Sequence, residues 1–265
     1  MDTNFAKTIK ENGIVKIKNF LTPEEIKRCI EIIKFYEAPK GDKNSFFVTN
    51  IKVFFIKLLK LEIKKLKHSY ELLQLKKIKK LDEIAKNFFN KKAKLSFIDG
   101  YFSKIEKKDI IPWHTDQAYS GKKKPEVKFN NPDIFYLKFF IYLTKVSSNN
   151  GCMSYIPGSH KIGYQIRKAI YCNEISYQPY WSLRDFRQII TDNYSYFNNT
   201  LGANVIEDFL VKTNFDKTGQ ESSRFDYDAE AGTMVIFDEG GVHKGSKPTL
   251  NDRMVIRYLF DPILH

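Results

Sequence analysis

The sequence predicts a mainly β fold with a helical layer: an antiparallel sandwich or barrel that carries its N-terminal helices on one sheet. Three observations predict it. From Leu95 onward, short runs rich in Phe, Tyr, Ile and Val are separated by Gly, Pro, Asn and Asp clusters, the chemistry of strands joined by turns. These runs do not alternate with helical segments, which argues against a parallel doubly wound sheet. Before residue 93 the apolar residues recur instead at three- and four-residue spacing, the period of a helix.

Taken in order, GIVKIKNF (13–20) alternates apolar and polar residues and reads as a strand. It runs into Thr22-Pro23-Glu24-Glu25, a capping box with proline at the first helical position, which predicts a helix to about Glu37. Phe54, Leu58 and Leu61, then Ile78, Leu81, Ile84 and Phe88, place further helices over 51–89 with lysines on the opposite face. The strands expected after them are 95–105, 133–146, 152–157, 232–237 and 253–260. Residues 171–227 are polar, aromatic and irregular, and a short helix near 182–190 is the one element expected there. Without repeats or a linker, the chain reads as a single domain over 1–265, with a mostly helical part at 1–92 and a β core at 93–265 that carries 171–227 as a variable insert.

Composition narrows the function classes. Aromatic residues make up 15% of the chain and apolar residues 42%, enough to bury a core and too many for a disordered segment. Three cysteines, none in C-x-x-C spacing, argue against a disulfide framework or a zinc ribbon. The opening MDTNFAKTIKENG has no apolar stretch of signal-peptide type, and lysines interrupt every long apolar run, so no membrane-spanning helix is expected. The expected location is the reducing cytoplasm. Nearly all of the formal charge of +13 lies in residues 51–108, which hold 17 Lys against six acidic residues. Such a run is usually a solvated helix face, and without helix-turn-helix or zinc-finger spacing no nucleic-acid partner is expected.

The chemistry-bearing residues are Trp113-His114-Thr115-Asp116 and, far downstream, His243. On a strand, His114 and Asp116 point to one face and Thr115 to the other, so both can ligate one metal. A His-x-Asp pair alone is a weak signal. With His243 it makes two imidazoles and a carboxylate, the donor set that non-haem Fe(II) oxygenases use while keeping positions open. Arg253, ten residues after His243, can clamp a carboxylate, and 2-oxoglutarate has a distal carboxylate to hold. Arg257 lies on the same strand face and competes for that role; Asp252 and Asp261 could instead pair with Arg253.

Together with Asn150-Gly151-Cys152-Met153, Ile156-Pro157-Gly158-Ser159-His160-Lys161 and the opening GIVKIKNFLTPEEIKRCI, these motifs make the chain similar to the phytanoyl-CoA dioxygenase family of Fe(II)/2-oxoglutarate oxygenases. The resemblance spans most of the chain and is weak over 40–90 and 171–227. It implies a double-stranded β-helix (jelly roll, cupin-like) core in a single Fe(II)/2-oxoglutarate dioxygenase domain. Iron would be held by His114, Asp116 and His243, and 2-oxoglutarate by Arg253 with secondary contacts from Ser246 and Thr249. Trp113, Gln117 and Tyr119, beside the metal motif, are the candidates to face the substrate, with ordinary core packing the other reading for Trp113 and Tyr119. O2 is the co-oxidant, and the expected reaction hydroxylates a C–H bond of a small-molecule metabolite, with succinate and CO2 released; separately from the resemblance, Lys122, Lys123 and Lys124 beside the site could attract an anionic substrate. A carboxylate at Asp116, where a small residue would open a halide site, favours hydroxylation or desaturation over halogenation. Family members place the cosubstrate arginine 10 or 11 residues after the distal histidine, as here, whereas His243-Lys244-Gly245-Ser246 departs from the common His-Gly-Ser-Gly form. His160 is expected to be structural, and His68 and His265 solvent-exposed. Two other readings stand beside this one: a cupin-like metal enzyme that makes no use of 2-oxoglutarate, and a non-catalytic polyanion-binding protein on the same fold.

Overall fold

The computed structural model describes residues 4–36, 44–49, 51–105, 111–116, 136–176, 182–214 and 223–263. The chain opens with α1 (Asn4–Asn12), β1 (Ile14–Ile17) and α2 (Pro23–Tyr36), then β2 (Asn44–Thr49) and three helices, α3 (Ile51–Leu59), α4 (Ile63–Ile78) and α5 (Leu81–Phe89). Strands β3 (Ala93–Ser103), β4 (Ile111–His114), β5 (Leu137–Tyr142) and β6 (Met153–Tyr155) lead into α6 (His160–Tyr171), α7 (Leu183–Asp192), α8 (Tyr194–Leu201) and α9 (Ala203–Lys212). The chain closes with β7 (Asp226–Tyr227), β8 (Met234–Asp238), β9 (His243–Gly245) and β10 (Arg253–Pro262).

The strands form two antiparallel sheets, a larger one in the order β1-β8-β5-β10-β3-β2 and a smaller one in the order β4-β9-β6-β7. The fold is therefore mixed helix and antiparallel sheet, a correction to the mainly β expectation. Both edges of the large sheet, β1 and β2, come from the N-terminal part of the chain, so that part is built into the sheet as well as layered on it.

Strand parity explains the layers. Phe139 and Ile141 of β5, Met234 and Ile236 of β8, and Ile256, Tyr258 and Phe260 of β10 pack with Ile9, Ile32, Leu72 and Ile84 of the N-terminal helices. The alternate residues Tyr142, Val235, Phe237 and Val255 pack between the sheets with Met153 and Tyr155. Both faces of these strands are buried, which is why runs such as MVIF are continuously apolar. The same parity turns Asp99, Tyr101, Ser103, Lys138, Arg253 and Arg257 towards the space between the sheets, away from the helical layer.

The capping box is present: Glu25 N–H donates to Thr22 Oγ1 at 3.3 Å and Thr22 N–H to Glu25 Oε2 at 2.8 Å. Residues 182–214 are three short helices, with a second capping box from Ser182 and Asp185 starting α7. Their apolar residues, among them Phe186, Ile190, Phe197, Ile206 and Phe209, form a separate cluster with Trp113, Ile156 and Val242. In 51–89 the expected faces hold only in part. Leu81, Ile84 and Phe88 are buried, but Leu58, Leu61 and Ile78 are exposed. His68 is half-buried against Phe35, ring centroids 4.6 Å apart, instead of solvated; His265 lies outside the described residues.

Candidate metal centre

His114 ends β4 and His243 begins β9, and the antiparallel register sets the two directly opposite each other. Asp116 follows His114 by two residues. One donor atom from each of His114, Asp116 and His243 lies within 4.8 Å of the others. Thr115 turns away, as strand alternation requires, and its hydroxyl donates to the Gly240 carbonyl at 2.9 Å.

Both imidazoles are braced in the same way. His114 Nδ1 donates to the Pro112 carbonyl at 2.7 Å and His243 Nδ1 to the Gly241 carbonyl at 2.8 Å, each oxygen two residues upstream. A neutral ring that donates from Nδ1 keeps a lone pair on Nε2, which is what a metal ligand needs. The Nε2 atoms point at the carboxylate, His114 at 3.6 Å from Oδ1 and His243 at 3.4 Å from Oδ2. Burial pushes His243 down to about 4, so its ring is neutral near pH 7. Tyr155 stacks over His243 with ring centroids 6.2 Å apart, and Phe237 packs at 5.2 Å.

Sequence reasoning missed the next layer. Lys138 of β5 is buried, and its ammonium donates to Asp116 Oδ2 and lies 3.2 Å from Glu239 Oε1. Burial pushes the Asp116 carboxyl up, but the Lys138 charge and the contacts from His114 and His243 together outweigh this and hold it well below the ordinary carboxylate range. Burial likewise pulls Lys138 down, and the carboxylates of Asp116 and Glu239 more than offset it. The signal was a charged residue inside the apolar strand LKFFIY, on the parity that faces between the sheets.

The Gly240-Gly241 pair does more than turn the chain. A Cβ on Gly241 would lie 1.9 Å from Tyr155 Oη, and one on Gly163 of α6 would lie 1.8 Å from the Gly240 carbonyl oxygen. The His243 loop is thus gripped between Tyr155 and α6, and only glycine allows the approach.

Arg253 is buried at the start of β10. Its Nη1 donates to the Gly151 carbonyl at 2.9 Å and its Nη2 to Ser103 Oγ at 3.4 Å; Nε has no hydrogen-bond partner. Gly151 stands four residues before Tyr155, the residue paired with His243, so Arg253 lies along the same ladder from the histidine. Among the described residues no carboxylate pairs with it, and burial pushes the guanidinium down. Asp252 instead accepts from Ile105 N–H, and Asp261 lies 3.6 Å from Lys94. Arg257, the competitor, is committed to Asp99 through Nε at 2.9 Å and a second, shorter bond. The residues present therefore suit the groups in question: three convergent donors for a divalent metal, and a buried cation with no counter-ion among the described residues for a dicarboxylate.

Ser246 is buried, and its N–H donates to the Cys152 carbonyl at 3.2 Å, whereas Thr249 Oγ1 donates to the Asn149 carbonyl. Trp113 is buried in the helical cluster, edge-on to Phe225 with centroids 6.4 Å apart. Gln117 and Tyr119 lie outside the described residues, as do Lys122, Lys123 and Lys124. His160 is buried, donates from Nε2 to the Lys10 carbonyl at 3.1 Å and takes no part in the cluster, in keeping with a structural role.

The model of the phytanoyl-CoA dioxygenase (PhyH) family matches residues 9–255. No curated protein matches the chain by sequence. Among solved structures, the non-heme α-ketoglutarate-dependent carbocyclase SnoK from nogalamycin biosynthesis is 17% identical, with 99% of this chain and 84% of that one covered and a TM-score of 0.56. EvdO2 from Micromonospora carbonacea var. aurantiaca, complexed with 2-oxoglutarate, is 12% identical over 99% and 91% of the two chains, with a TM-score of 0.54. HygX from Streptomyces hygroscopicus, with nickel and 2-oxoglutarate bound, is 12% identical over 100% and 88%, with a TM-score of 0.55. At these identities the likeness is one of fold.

Proposed function

The chain belongs to the phytanoyl-CoA dioxygenase family of 2-oxoglutarate-dependent non-haem iron oxidoreductases, and from that premise we propose that it hydroxylates a C–H bond of a small-molecule metabolite at the His114–Asp116–His243 centre. The convergence of those three side chains carries the reading. In this reading they ligate Fe(II), Arg253 holds the distal carboxylate of 2-oxoglutarate, and the two facing sheets are the halves of a double-stranded β-helix within one domain. Ser246 is a buried secondary contact to the cosubstrate. Thr249 contributes by fixing the loop through Asn149 and Asn150. Iron with 2-oxoglutarate and O2 supplies the oxidising power for the C–H bond, with succinate and CO2 as coproducts.

The chain's own residues do the rest. The Pro112 and Gly241 carbonyls fix both imidazoles with Nε2 inward, and Lys138 with the two imidazoles holds Asp116 well below the ordinary carboxylate range. Tyr155 and Phe237 pack around the His243 side and exclude water from it. Substrate contacts are assigned to Gln117 and Tyr119, and Lys122, Lys123 and Lys124 favour an anionic substrate. Trp113, next to the His114 ligand, is the third residue assigned to the substrate wall, and its ring also packs on the helical cluster. Free cysteines suit a reducing compartment, and the cytoplasm is the assigned location.

The test is Mn(II) binding by electron paramagnetic resonance, together with succinate release from 2-oxoglutarate, in the parent protein and Asp116→Ala. The parent should show both and the variant neither. Full Mn(II) binding and turnover in Asp116→Ala would remove the assignment.

A further inference from the structure

The normal polarity of a surface helix is reversed in α3. Lys57 is buried, its ammonium donating to Ser69 Oγ on α4 at 2.8 Å, while apolar side chains face outward. Ile51 is 66% exposed, Leu59 82%, and at the turn into α4 Leu61 is 77% and Ile63 73% exposed, with Phe55, Ile56 and Leu58 exposed beside them. Side chains this open stand clear of the surface and do not line a groove. Residues 51–67 hold six lysines against a single acidic residue, Glu62, and Lys52, Lys60, Lys64, Lys65 and Lys67 are exposed among the apolar residues. A protruding apolar patch of this kind marks an interaction surface.

We infer that the α3–α4 elbow docks the enzyme on an anionic lipid surface, with Phe55, Leu58, Leu59, Leu61 and Ile63 entering the headgroup–acyl boundary and the lysines contacting lipid phosphates. The inference concerns a surface separate from the metal centre and does not depend on the reaction assigned there. Charge selects the partner. A second copy would bring the same lysine-rich patch against itself, because a two-fold contact pairs a surface with its equivalent, and the like charges would oppose it. Nucleic acid would use the lysines but leave the leucines and isoleucines in water. An anionic bilayer satisfies both, since interfacial helices pair apolar anchors with flanking lysines. The nine residues of α3 are far too few to cross a bilayer, so the elbow lies on the surface and does not span it.

The experiment is flotation of the full-length protein with vesicles of phosphatidylcholine alone and of phosphatidylcholine mixed with phosphatidylglycerol. Binding to the mixed vesicles should exceed binding to the neutral ones at least about tenfold and fall as salt is raised. Phe55→Gln and Leu59→Gln should each weaken it about tenfold, and Lys60→Glu with Lys64→Glu at least about 20-fold, with thermal unfolding unchanged because every position is exposed. Equal binding to both vesicle types, binding to neither, or folded apolar variants that bind as well as the parent would overturn the proposal. A dimer in sedimentation velocity that Leu59→Gln dissociates would also overturn it and assign the face to a second copy.

Discussion

Lys138 and Asp116 form a partly buried ion pair inside the candidate metal centre, with Glu239 as the lysine's second carboxylate. The carboxylate proposed for a divalent cation is thus already neutralised by an ammonium. Two unit charges about 4 Å apart interact by roughly 4 kcal/mol at an effective dielectric of about 20, so the lysine opposes the metal's arrival. Lys138→Met should raise Mn(II) affinity at least about tenfold by that argument. It should also destabilise the metal-free protein by about 3–5 kcal/mol, because buried carboxylates lose their partner, and Mn(II) should restore the loss. Thermal melts with and without Mn(II), beside a binding titration, measure both. Weaker Mn(II) binding in the variant would make Lys138 a strut for Asp116 and refute the charge argument.

Arg253 separates the 2-oxoglutarate reading from a cupin-like enzyme that does without the cosubstrate. Arg253→Met should weaken 2-oxoglutarate binding by roughly 10- to 100-fold, the loss expected of a charge-assisted hydrogen-bonded pair, and leave Mn(II) affinity near that of the parent. Calorimetric titration of the Mn(II)-loaded protein under anaerobic conditions reads the first, and spin resonance the second. Unchanged 2-oxoglutarate affinity would favour the cupin-like alternative.

At Gly241 a single methyl group should disturb the centre. The added carbon would meet not only Tyr155 Oη but also its Cζ at 2.0 Å and Cε2 at 2.4 Å. Gly241→Ala should therefore destabilise by about 1–3 kcal/mol, the usual range for overpacking. Removing the hydroxyl alone, in Gly241→Ala with Tyr155→Phe, should not restore stability because the ring carbons still collide. Urea unfolding midpoints decide it, and full rescue by the double variant would contradict the contact geometry.

Asp238 is buried, and burial raises its carboxyl to about 7. Its folded pKa exceeds the unfolded value near 3.9, so the native state holds the proton more tightly. The associated stability is greatest at or below about pH 4 and is lost as pH rises through about 7. His160 and His243, both pushed down to about 4 by burial, work the other way: their contribution is lost as pH falls from about 6.5 towards 4. Asp238→Asn keeps an acceptor for the Gly240 N–H and removes the ionisation. Its melting temperature at pH 8 should rise by about 5 °C, with little change at pH 4. A uniform shift at both pH values would show that ionisation is not the cause.

Much of the architecture was legible because the signals were local. Thr22, Pro23 and Glu25 announced α2, and alternation placed His114 and Asp116 on one face. The exposed leucines of α3 defeated the helical period, since period reports which residues share a face and not which face is buried. The run Ile78, Leu81, Ile84, Phe88 bridges two helices, with Lys80 between them in a left-handed conformation. Within 182–214 the short helix expected near 182–190 is α7, whereas 193–214 gave little signal, cut by Asn193 and Gly202 into helices of eight and ten residues. The pairing of Lys138 with Glu239 was missed for another reason: Lys138 stands out as a charge inside an apolar strand, but the two meet only when β5 and the end of β8 come together, and no spacing along the chain encodes that encounter.

The oxygens that steady both imidazoles belong to residues 112 and 241, yet neither is a side-chain atom. No exchange of amino acid at those positions can delete them. The aim of the two rings is therefore inherited from the path of the main chain, and what descendants of this sequence must keep is that path, including the glycine at 241 that lets it pass Tyr155.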